Sequence, residues 1–63
     1  MAKFTVEFHC NNDSFNPDMG FDGAAPEIAK ILREISRDVS IGKDYDIIRD
    51  TNGNTVGQYS FQD

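Results

Sequence analysis

Sixty-three residues carrying eleven acidic against six basic side chains, for a formal charge of −5, leave room for one small domain. Phosphate recognition depends on clustered Lys and Arg, so this balance argues against nucleic acid or an anionic membrane as the direct partner. Cys10 is the only cysteine, so no disulfide can supplement a core that at this size covers only about 60% of the unfolded surface.

Lys3 to Cys10 alternates, with Phe4, Val6, Phe8 and Cys10 on one side and Lys3, Thr5, Glu7 and His9 on the other. That pattern predicts a half-buried strand over 3–10 with an aromatic inner face. Cys10 reads as a small core hydrophobe, because nothing nearby would activate its thiol. Residues 11–23, NNDSFNPDMGFDG, are a loop by composition, unusually long for so small a domain. Phe21 is expected to pack on the first turn of the following helix. Phe15 and Met19 can either fold back on the core or stand out as anchors for a partner.

Ile28, Ile31, Leu32, Ile35 and Val39 fall on one stripe of a 3.6-residue period, which predicts a helix over about 24–40. Asp22 or Gly23 can cap its start, Pro26 suits its first turn, and Gly42 is the natural stop. Residues 44–50 and 55–61 then form a hairpin, with Gly53 of Asp50-Thr51-Asn52-Gly53 taking the left-handed position. A three-residue bulged turn pairs Asp50 with Asn54, Arg49 with Thr55, Ile48 with Val56, Ile47 with Gly57 and Tyr45 with Tyr59.

The order β-α-β-β with a right-handed crossover places the third strand between the other two. The expected fold is α+β: a three-stranded antiparallel sheet of order 1-3-2 with one helix packed on one face. Phe4, Val6, Phe8, Ile47, Tyr59 and Phe61 should meet Ile28, Ile31, Leu32 and Ile35. Ile48 and Val56 should lie on the open face. A sheet of this kind has two unpaired edges, so a homodimer is a possible state.

Chemistry is sparsely marked. Asp50 to Asn54 begins like an EF-hand loop, but Thr55 stands where the Gly is required and Phe61 where the Glu is required. His9 and Cys10 are neighbours on a strand and point apart, too few and too divergent for zinc. No serine or cysteine has a recognisable base and orienting partner. We therefore expect no enzyme, no metal and no cofactor. With no secretory leader or apolar membrane run, the expected location is the cytoplasm.

The aromatic first strand ending in Cys10-Asn11-Asn12-Asp13, the helix core Ala29 to Ile35 and the closing stretch Arg49 to Gly57 resemble the short acidic accessory proteins of bacteriophages and prophages. Those with assigned functions include anti-CRISPR proteins and other inhibitors of host defence, several of which present carboxylates to a site that normally holds DNA phosphates. The resemblance implies a non-catalytic inhibitor of a host protein complex with a basic surface, acting as an acidic DNA mimic. The candidate partner-binding residues are Asp13, Phe15, Asp18, Met19 and Asp22 on the loop and Asp44, Asp46 and Asp50 along the second strand. The alternative is a structural, homodimeric phage module without an inhibitory role.

Overall fold

The alternating aromatic segment does form an edge strand, β1 (Lys3–Phe8), in a computed structural model that describes all residues from Met1 to Asp63. Two short 3-10 turns, Asp13–Phe15 and Pro17–Met19, lead from it into a helix, α1 (Gly20–Ser40). β2 (Tyr45–Arg49) and β3 (Thr55–Gln62) complete an antiparallel sheet of order β1-β3-β2. One helix packs on one face of this sheet, giving the α+β architecture read from the sequence.

α1 begins at Gly20, four residues before the expected start, so Pro26 lies inside the helix instead of in its first turn. Proline has no N–H to offer Asp22, an exposed residue whose carbonyl water can satisfy. At the other end Gly42 (φ 94°) takes the left-handed conformation just past Ser40, and the N–H of Lys43 bonds the Asp38 carbonyl at 3.0 Å. The stop signal is where the sequence put it.

The hairpin departs from the expected register by one residue. Its tip forms as anticipated, with Gly53 at φ 86°, the Asp50 N–H on the Asn54 carbonyl at 2.9 Å, and Arg49 opposite Thr55. Ile48 then pairs with Gly57, Ile47 with Gln58 and Asp46 with Tyr59. Val56 is the extra residue of a β-bulge, and the slip turns every later β2 side chain to the opposite face. Ile48 is consequently 4% exposed and Ile47 46%. Ile48 and Val56, assigned above to the open face, belong to the core; Ile47 and Tyr45 do not.

The core is Phe15, Ala24, Ile31, Ile35, Ile48, Val56 and Tyr59, with Phe8, Cys10 and Ile28 packed at its margin. Two carboxylates fix α1 over the hairpin. Glu27 accepts both the N–H (2.9 Å) and the hydroxyl (2.7 Å) of Thr51, and Asp38 accepts the Tyr59 hydroxyl at 3.1 Å. Burial, helped by the Asp38 carboxylate that the hydroxyl contacts, raises the Tyr59 phenol above its usual range. At Gly57 the backbone of β1 lies too close to admit a side chain. A Cβ there would strike the Glu7 carbonyl oxygen and stand 2.5 Å from Phe8 Cα. Phe4, Val6, Leu32 and Phe61, expected to close this core, all remain substantially exposed.

Candidate functional site

The long loop is an ordered platform. Phe15 is 0% exposed and stacks on Phe8 with ring centroids 6.3 Å apart, so it packs inward and cannot anchor a partner. Asn16 adopts φ 47°, a conformation Asn tolerates better than other residues with a Cβ, and joins the two 3-10 turns. Its N–H bonds the Asp13 carbonyl at 3.0 Å, its carbonyl accepts from Met19 at 3.0 Å, and its side-chain amide donates to the Gly23 carbonyl at 3.2 Å. Gly23 lets this platform dock on α1: a Cβ there would lie 2.6 Å from Met19 Cβ and 2.7 Å from the Asn16 carbonyl oxygen.

Asp50 ties the platform to the hairpin. Its carboxylate accepts from Asn12 Nδ2 (3.0 Å), Ser14 Oγ (2.9 Å), the N–H groups of Asn52 (3.0 Å) and Asn54 (2.9 Å), and Asn54 Nδ2 (3.3 Å). Burial pushes this carboxyl up, but the donors from Asn12, Asn54 and Ser14 outweigh it and hold the group well below the carboxylate range. Asp50 is 5% exposed, enclosed by the groups that bond it. Every lone pair it could show a partner is engaged. Asp50 is therefore a turn organiser and is withdrawn, with Phe15, from the set of accessible contacts. The D-x-N-x-N pattern that resembles a calcium loop is the signal for this role, because the carboxylate holds backbone N–H groups two and four residues on.

The remaining candidates divide between two ends. Asp13, Asp18 and Asp22 are exposed and form no salt bridge, at the end where α1 begins. Between them stand Met19 (67% exposed) and Phe21 (74% exposed). Phe21 does not pack on α1 as the sequence suggested. Asp13, Asn16, Pro17, Asp18 and Met19 line a shallow depression of about 320 Å³. A second hollow, about 440 Å³ and more apolar, runs along Cys10, Asn11, Pro17, Gly20, Phe21, Ala24 and Ile28.

Asp44 just precedes β2 and Asp46 is its second residue, about 20 Å and about 13 Å from Asp50 at an extended-strand rise. Asp46 is paired with Lys43 Nζ at 2.7 Å and accepts the Ile47 N–H at 2.7 Å. The hydrogen bond to Lys43 leads in lowering the Asp46 carboxyl and in raising the Lys43 ammonium. The charge of Asp46 is thus already neutralised. No three His, Cys, Asp or Glu side chains converge as metal ligands, and no helix is long and apolar enough to cross a membrane. No protein-family model, curated protein or solved structure matches the chain.

Proposed function

We propose that the chain is a non-catalytic binding protein that seats its platform end on a basic surface of a partner protein complex in the cytoplasm. One observation carries this reading: Met19 and Phe21 are held out on a hydrogen-bonded platform among three carboxylates, Asp13, Asp18 and Asp22, that no cation of the chain neutralises. Exposed apolar anchors ringed by unpaired charge of one sign suit a partner of the opposite sign, with the charges steering encounter and the side chains supplying buried area. The resemblance to phage accessory proteins directs the partner toward a nucleic-acid-binding defence complex of a host cell, whose phosphate-binding surface the carboxylates would occupy. The chain would then act as an inhibitor.

The test is capture of such a complex from nuclease-treated bacterial lysate on immobilised protein, repeated with the triple variant Asp13→Lys, Asp18→Lys, Asp22→Lys. The expected result is a nucleic-acid-binding complex displaced by duplex DNA and by salt, because exposed charges are screened within about 8–10 Å at 0.1–0.15 M. The triple variant, folded by circular dichroism, should retain none of it. Undiminished capture by that variant, or capture that DNA does not compete, would remove the acidic-mimic reading.

A further inference from the structure

We infer that the chain forms a two-fold homodimer by pairing β1 with β1 of a second copy, which yields a six-stranded sheet with both helices on one face. Three independent features of β1 point to the same partner.

The first is its free edge. The His9 N–H bonds the Val56 carbonyl at 2.9 Å and continues the register in which Phe8 faces Gly57. Antiparallel ladders alternate, so Lys3, Thr5, Glu7 and His9 turn their backbone groups toward β3, while Phe4, Val6 and Phe8 turn theirs outward. Nothing covers that edge. The opposite edge, on β2, is blunted: the Ile47 N–H is occupied by the carboxylate of Asp46, itself held by Lys43.

The second is the uncovered face beside the same strand. α1 is fixed over β2 and β3, so Phe4, Val6 and Phe61 of the sheet and Leu32 and Val39 of the helix flank are each between 38% and 50% exposed. At 100° per residue Leu32 and Val39 lie on the side of α1 opposite Glu27 and Glu34, which puts them toward β1. The five expose on the order of 400 Å² of apolar surface per chain. The whole chain exposes 4579 Å², against about 4,100 Å² for a 7.1 kDa monomer, roughly 500 Å² in excess. Two such patches with a polar rim reach the ~1,000 Å² that a specific interface requires.

The third is charge. Faces match across a two-fold only when residues of like parity oppose each other. With Thr5 on the axis, Phe4 faces Val6 of the second copy in hydrogen-bonded pairs, using the outward groups, and Lys3 faces Glu7 at both ends. Neither Lys3 nor Glu7 has an ion-pair partner within its own chain. The pairing uses β1 and the Leu32–Val39 flank and none of Asp13, Asp18, Met19 and Asp22, so its test is separate from that of the proposed function.

Sedimentation equilibrium of the full chain at low salt, from 5 to 500 μM or so, tests it together with two single variants, Lys3→Glu and Glu7→Lys. The wild type should dimerise, and each variant should bind itself about tenfold more weakly, since like charges then oppose at two positions. An equimolar mixture of the two variants should regain wild-type association, because both contacts are restored only in the mixed dimer. A wild type that stays monomeric across the range overturns the dimer. A wild type that dimerises without response to either charge change, or without recovery on mixing, overturns the β1 pairing.

Discussion

Replacing Phe15 measures whether the loop platform is part of the core. The side chain is fully enclosed, and a phenylalanine ring buries about 150–250 Å². At about 25 cal/mol per Å² that is worth roughly 4–6 kcal/mol, of which alanine keeps the Cβ share, so Phe15→Ala should cost about 3–5 kcal/mol. A chain of 63 residues has on the order of 3–9 kcal/mol in total. The substitution therefore removes between about a third and all of the stability. Phe15→Leu preserves most of the volume but loses the stack on Phe8, and should cost about 1–2 kcal/mol. Thermal unfolding followed by far-ultraviolet circular dichroism, at one fixed protein concentration, reads both: about 4–8 °C per kcal/mol for a domain of this size. Met19→Ala is the control, since an exposed side chain should shift stability by no more than about 0.5 kcal/mol. If Phe15→Ala melts as close to wild type as Met19→Ala does, Phe15 is not enclosed, and the reassignment of this residue from partner contact to core fails.

Two further perturbations probe the contacts that set the register and the turn. Gly57→Ala forces a methyl group into the β1 backbone and should cost about 3 kcal/mol or more; a melting temperature within a few degrees of wild type would mean that β1 and β3 are not this close. Asp50 has a carboxyl lowered in the folded state, so its contribution is fully present above the unfolded value of about 4 and is lost as pH falls below it. Urea midpoints at neutral pH and between about pH 4 and 2 should show Asp50→Asn less stable at neutrality and with a shallower acid dependence. Some slope should remain, because Asp46 is lowered too. An unchanged acid profile in the variant would rule out Asp50 as the group responsible.

The helix, the strand order and the Gly42 and Gly53 positions were legible because each rests on a local rule: a 3.6-residue stripe, a chirality constraint, a left-handed conformation. The face of β2 was not. Ile47 and Ile48 are adjacent, so alternation cannot say which one points inward. What decides is the bulge at Val56, which accompanies the tight approach of Gly57 to β1, a contact between residues about fifty positions apart. The platform was hidden for a related reason. Its Asn, Asp and Gly content reads as loop, and that is correct locally, but Asn12 and Ser14 find their acceptor on Asp50 across the hairpin. Asp50 carried two readings, turn residue and surface acid, and only a count of its hydrogen bonds chooses between them.

Polar contacts in both halves of α1 help fix where it lies on the sheet. Ile28, Ile31, Leu32, Ile35 and Val39 span an arc wide enough to roll the helix toward either edge. The side-chain hydrogen bonds that join it to the rest of the fold beyond the loop go to Thr51 and Tyr59, both in the hairpin, and none goes to β1. Breaking either would leave the buried Glu27 carboxylate or the buried Tyr59 phenol without its partner, at a cost of about 1–3 kcal/mol each. The helix is thereby held toward β2, Ile31 and Ile35 are buried, and Leu32 and Val39 are left facing the space above β1. The uncovered side of β1 goes with the anchoring of α1 by Glu27 and Asp38, its unpaired edge with the strand order, and one second copy of the chain would satisfy both.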